Sequence, residues 1–133
     1  MSIGLLIISH DDVGSALLET ASHMLGQCPL KVELLPASRD ADPDVLLNKG
    51  RDLVGSLDEG DGVLVLTDLY GSTPSNIAKQ LLDDDRVRIV TGVNLPMLIR
   101  VLNYPQLQLD QLAKKAVSGG RDGVFLVLKE GMK

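Results

Sequence analysis

A short apolar run, Ile3-Gly4-Leu5-Leu6-Ile7-Ile8-Ser9, stops at His10, and two aspartates follow at once. Nothing in the run alternates between apolar and charged. Such a run fits a strand covered on both faces, as in a parallel sheet sandwiched between helices. Open sheets of that class bind their ligands beyond the C-terminal ends of the strands. His10 stands at such an end, so the first strand and its last residue frame the rest of the chain.

The segments that follow alternate in type. Asp11 or Asp12 can cap a helix over 13–25, with Val13, Ala16, Leu17, Ala21 and Met24 on one face and Gly26 as its stop. Residues 31–35 read as a second strand. Asp42-Pro43 supplies an N-cap and first helical residue for a helix to Leu57, with Leu46, Leu47, Leu53, Val54 and Leu57 inward. Residues 63–67 form a third apolar strand. Thr73 and Pro74 then open a helix reaching about Leu82. Residues 86–90 are a fourth strand, and the 91–96 loop repeats the order of glycine, cap and proline. A helix to about Asn103 follows, then one over 109–117 ended by Gly119-Gly120. Residues 123–128 read as a last strand with nothing helical after it.

This alternation predicts an α/β three-layer sandwich with a mostly parallel central sheet in the order 2-1-3-4. The switch point of that order lies between strands 1 and 3, where the loops beginning at His10 and Asp68 meet. The chain's 133 residues suit one domain with a sizeable core. Its hydrophobic fraction is 44%, with no Trp, two Tyr and one Phe, so aliphatic residues must fill that core. The net charge is -5 and no basic run occurs, which argues against nucleic acid or an anionic membrane as partner. Cys28 is alone, which excludes a disulfide framework and cysteine-rich zinc sites. A lone cysteine and no signal peptide lead us to expect a cytoplasmic protein.

A histidine beside a carboxylate is a functional unit. The carboxylate takes the proton on one ring nitrogen and leaves the other as a nucleophile. The Gly71-Ser72-Thr73 loop opens a helix, whose free N–H groups and hydroxyls suit an anion. Together these residues fit a phosphorylated histidine, with His10 as nucleophile, Asp68 orienting it, and Gly71, Ser72 and Thr73 binding the phosphoryl oxygens. His23, Asp11, Asp12, the 83–85 aspartate run and Cys28 read as helix-face, cap, turn and loop residues.

Three other chemistries fit less well. A receiver domain phosphorylated on Asp68 would use Asp11, Asp12, Thr91 and Lys129, but a helix-opening segment follows Asp68 and one helix is in excess. A flavin or nucleotide site lacks a phosphate loop and stacking aromatics. A hydrolase on Ser72 or Ser9 lacks the G-x-S-x-G elbow, and Ser9 and His10 point apart.

Three segments, LLIISHDDVGSALLETASHMLG, TDLYGSTPSN and TGVNLPML, followed by GGRDGV, lie in one order and spacing. With them the chain resembles the IIA component of the mannose-family phosphotransferase system (PTS) from Met1 to about Lys129. The related dihydroxyacetone-kinase subunit shares the first strand and histidine but differs after strand 3. The resemblance implies that His10 accepts phosphate from phosphorylated HPr and passes it to a histidine of a IIB protein or domain. Asp68 would orient it, Ser72 and Thr73 would contact the phosphoryl group, and no metal or cofactor is implied for the step. It also implies a homodimer in which an antiparallel last strand, 124–128, joins the other subunit's sheet. That arrangement would remove an exposed edge. Membrane contact would come only through a IIC/IID transporter. The family often has an aromatic where Leu69 stands, Gly at Ser72 and Phe at Ser75, all bordering the docking face. With no IIB segment in the 133 residues, action in trans is expected, on a separate IIB or as a phosphorylation-dependent regulator without a transport role.

Overall fold

The computed structural model describes residues 2–131. The single domain read for 1–133 includes Met1, Met132 and Lys133, which lie outside the described residues. The elements are β1 (Gly4–His10), α1 (Val13–Leu25), β2 (Val32–Ala37), α2 (Pro43–Leu57), β3 (Val63–Thr67) and α3 (Thr73–Gln80). A 3-10 turn at Leu81–Asp83 follows, then β4 (Val87–Val90), α4 (Leu95–Leu102) and α5 (Leu109–Asp122). The sheet order is β2-β1-β3-β4 and every pairing is parallel.

Leu5, Leu6, Ile7 and Ile8 are all buried, because successive side chains of β1 enter opposite layers. Ile3, Leu5 and Ile7 join Leu64, Leu66, Leu98, Val101 and Leu112 on the face covered by α1, α4 and α5. Leu6 and Ile8 join Leu35, Val63, Val65, Leu57 and Ile77 under α2 and α3. The registers Ile8↔Thr67 and His10↔Ala37 bring the ends of β1, β2 and β3 to one edge.

Several local expectations change. The inward stripe of α1 is turned: Gly14 and Ala21 are buried with Leu17, Leu18 and Leu25 beside them, while Val13 and Met24 are exposed. Neither Asp11 nor Asp12 caps that helix with its side chain. Ser9, buried at the end of β1, accepts the Gly14 N–H at 2.8 Å instead. In α2 the reading holds, since Asp42 accepts the Asp44 N–H at 2.9 Å ahead of Pro43. At α3 the N-cap is Ser72, one residue earlier than Thr73.

The largest difference is at the C-terminal end. Gly119-Gly120 does not stop α5, which runs on to Asp122. The two glycines are packing positions. A Cβ on Gly119 would come within 2.6 Å of the Arg100 Cβ, and one on Gly120 within 2.8 Å of the Met97 Cε. The helix breaker in the sequence is therefore the contact that seats α5 on α4, and that packing outweighs glycine's poor helix propensity. Beyond Gly123, the expected strand at 124–128 is not formed within the chain. Among the described residues the segment pairs with no strand, and Val124, Phe125, Leu126 and Val127 are each more than 70% exposed. The sheet of one chain is accordingly four-stranded and wholly parallel.

Candidate functional site

The sheet's switch point falls between β1 and β3, and its two flanking strands deliver His10 and Asp68. Alternation puts His10 on the face of Leu6 and Ile8, toward α2 and α3. One carboxylate oxygen, Asp68 Oδ2, accepts both the His10 backbone N–H and the ring Nδ1–H, each at 2.9 Å. A carboxylate only accepts, so Nδ1 carries the proton and Nε2 keeps a lone pair. The histidine side chain is 46% exposed and that of the aspartate 13%. The pair thus has one largely covered partner, Asp68, that fixes the ring and one open partner, His10, whose ring faces solvent.

Burial pushes the Asp68 carboxyl up, but the His10 backbone N–H, its ring and the positive charge it can carry outweigh this. The carboxyl is held below the ordinary carboxylate value. Asp68 therefore stays an anion and can offset charge on the ring. Its other oxygen, Oδ1, and the neighbouring Thr67 Oγ1 are buried without hydrogen-bond partners among the described residues. The Val93 N–H holds the Thr67 carbonyl at 2.9 Å, tying the β4–α4 loop to the end of β3.

The chain leaves β1 through a strained residue. Asp11 has φ 40, in the left-handed region, and donates its N–H to the Ala37 carbonyl at 3.3 Å. Left-handed backbone costs an L-residue on the order of 1 kcal/mol, and an aspartate somewhat less. Asp11→Gly is expected to raise the stability of the fold by roughly 0.5 kcal/mol, read as a higher Tm. A lower Tm would show that the aspartate side chain, not the turn, holds this position.

Of the three residues expected at the phosphoryl group, two spend donors inside their own loop. Gly71 gives its N–H to Ser75 Oγ at 3.2 Å. Ser72 gives its hydroxyl to the Leu69 carbonyl, and its N–H bonds the same oxygen at 3.3 Å. Thr73, exposed at the start of α3, keeps its N–H and hydroxyl uncommitted among the described residues. No hydrogen bond joins 71–73 to the His10 ring among those residues. Two buried serines have structural roles that the sequence did not reveal: Ser9, which seats α1, and Ser75, which folds the 71–75 loop. Their only signal was a serine four or five residues from a glycine in a loop, too common to single out. His23, Cys28 and the 83–85 aspartates lie away from the site, and Asp83 pairs with Arg51 at 3.0 Å. Among the described residues no three His, Cys, Asp or Glu side chains gather to hold a metal ion, and no helix is long and apolar enough to cross a membrane.

Residues 4–117 match the family model EIIA-man, described as the PTS system fructose IIA component. The mannose-specific EIIAB component of Escherichia coli K12 is 31% identical over 129 residues, covering 93% of this chain. The chain spans 39% of that relative's length. The fructose-specific EIIA component of Bacillus subtilis 168 is 30% identical over 102 residues, 76% of this chain and 69% of the relative. Among solved structures, a PTS IIA protein associated with the fucose utilization operon of Streptococcus pneumoniae superposes with TM-score 0.82 at 28% identity. That match covers 95% of this chain and 93% of the other. The mannose/sorbose-specific IIA subunit from Enterococcus faecalis shares the fold over the full length of both chains, with TM-score 0.87 at 23% identity.

Proposed function

Because the chain belongs to the EIIA-man family of the sugar phosphotransferase system, we propose that it carries a phosphoryl group on Nε2 of His10. The group would come from phosphorylated HPr and go to a histidine of a IIB protein or domain. The observation that carries this reading is the shared oxygen: Asp68 Oδ2 bonds both the backbone and the Nδ1 of His10, which leaves Nε2 exposed as a lone pair. In each transfer the donor's N–P bond breaks and its electron pair returns to the donor nitrogen. On delivery the Nε2–P bond breaks, its pair returns to Nε2, and the lone pair of the IIB histidine makes the new bond. On loading it is the Nε2 lone pair that makes the new N–P bond. Nδ1 keeps its proton, the ring becomes cationic, and the ionised Asp68 balances it. Thr73, with its unused N–H and hydroxyl at the head of α3, is the loop residue best placed to meet the phosphoryl oxygens. No metal or cofactor enters this step, and a membrane is met only through a IIC/IID transporter. The protein would work in the cytoplasm.

The proposal extends to a homodimer. β4 is an edge strand, and an open groove of about 790 Å³ beside it is lined by Ile89, Val90, Met97 and Val117. The extended apolar segment 124–128 has no partner strand in its own chain. Exchanged between two copies, it would cover both β4 edges.

The test is labelling with phosphorylated HPr. The label is expected to be acid-labile and base-stable, as a phosphohistidine is, and absent from His10→Ala. A base-labile, hydroxylamine-sensitive label would move the phosphate to Asp68. Normal labelling that passes to no IIB would favour a regulatory module.

A further inference from the structure

The β2–α2 loop carries a cation at the edge of this site that nothing so far uses. Ala37 is the register partner of His10, and adjacent strands lie about 4.8 Å apart. Two residues on, the chain makes a turn closed by the Ala41 N–H on the Ser38 carbonyl at 3.1 Å, with Arg39 and Asp40 at its tip. Arg39 is exposed, and among the described residues it joins no ion pair or hydrogen bond. The contrast with the other arginines is clear. Arg51, Arg86, Arg88 and Arg100 each hold an aspartate, at 3.0, 2.9, 2.7 and 3.6 Å. Arg121 ends α5, on the β4 side of the sheet. The other cation near this edge, Lys79, lies 5.7 Å from the centre of the Tyr70 ring.

Apart from Arg39, and Lys79 over Tyr70, the charged side chains named near His10 are acidic. Asp11 and Asp12 follow it directly, Asp68 bonds its ring, and Asp40 sits beside Arg39. A phosphoryl group on Nε2 would bring close to two further negative charges into this setting. Phosphoryl transfer is accelerated mainly by positioning and by stabilising charge on the moving group. A guanidinium supplies both, because its planar fork spans two phosphoryl oxygens.

Taking His10 as the phosphoryl carrier, we infer that Arg39 closes over its ring and binds two oxygens of the phosphoryl group bonded to Nε2. It offsets the charge that the surrounding aspartates oppose. Arg39 neither gains nor loses a proton in the step. Unpaired in the resting protein, it has no ion pair to break before it can do this.

The experiment uses phosphoramidate, a small donor that needs no partner protein and whose nitrogen leaves as ammonia. The full chain, Arg39→Ala and Arg39→Lys are phosphorylated in parallel. The alanine variant is expected to label about tenfold to a hundredfold more slowly, and the lysine variant to recover part of the rate, keeping the charge but not the fork. By phosphorus NMR, the second ionisation of the bound phosphoryl group should move to higher pH in Arg39→Ala, because its dianion has lost a cation. A merely structural role would not move that titration. Unchanged rate and titration in Arg39→Ala would overturn the inference. So would a loss seen with phosphorylated HPr and not with phosphoramidate, which would make Arg39 a docking residue. If the unaltered chain takes no label at His10, it is the carrier reading that fails.

Discussion

Asp68→Asn is expected to slow phosphoryl transfer to His10 by about two to four orders of magnitude while leaving the fold intact. The size follows from what one oxygen does. Oδ2 accepts two hydrogen bonds, from the His10 backbone and from Nδ1. An asparagine can present either its oxygen or its amide nitrogen to the ring. With the nitrogen facing Nδ1, the ring proton moves to Nε2 and the nucleophile is lost. With the oxygen facing it, the tautomer survives but the anion that balances the phosphorylated ring is gone. Comparable His–Asp pairs lose on the order of 10⁴ when the carboxylate becomes an amide, although the exposed ring here argues for the lower part of the range. Single-turnover transfer from phosphorylated HPr measures the effect, with circular dichroism as the check on folding. An unchanged rate would remove Asp68 from the mechanism. Acid titration gives a second reading of the same bond. The carboxyl is held low in the folded chain, so its contribution to stability is present above the unfolded carboxylate range. It is lost as pH falls through the folded value. Asp68→Asn should flatten that part of the acid-unfolding curve.

Ending the chain after Gly123 is expected to convert a dimer to a monomer, halving the mass seen by sedimentation. The deletion removes the four most exposed large apolar side chains, Val124, Phe125, Leu126 and Val127. It removes nothing from either core cluster, since neither includes a residue beyond Ala116. The shortened chain should therefore fold, and its Tm should no longer depend on concentration, as that of the proposed dimer should. A shortened chain of undiminished mass would place the dimer contact elsewhere.

The parts of the fold legible in the sequence were those set by local chemistry. β1 and β3 announced themselves as apolar runs because both their faces are covered, and Asp42-Pro43 marked the start of α2 because capping needs only neighbouring residues. The pairing of His10 with Asp68 followed from strand order, since that order decides which strand ends meet. What escaped depended on distant partners. Gly119 and Gly120 read as a stop because their purpose lies on α4, in Arg100 and Met97. The α1 face was misjudged because α1 meets β1 at Gly14, where a Cβ would come within 2.9 Å of Ile7 and Ser9, a contact the helix period alone does not reveal. Segment 124–128 read as a strand from its residues, but a strand also needs a neighbour, and within one chain it has none. Ser72 was expected to bind phosphoryl oxygens, yet its hydroxyl serves its own loop.

The position of the last core residue, Ala116, also bears on how fast the protein can be made ready for use. Everything through α5 closes on itself by first-order steps, at a rate indifferent to how many copies are present. Joining two such bodies through their ends, as the proposed dimer requires, is second order. Newly made chains would thus pass through a folded, unpaired stage whose lifetime lengthens as expression falls, with four sticky side chains and an open sheet edge waiting. The hazard of that interval, rather than the stability of either body, is what would set the lowest useful abundance of the protein.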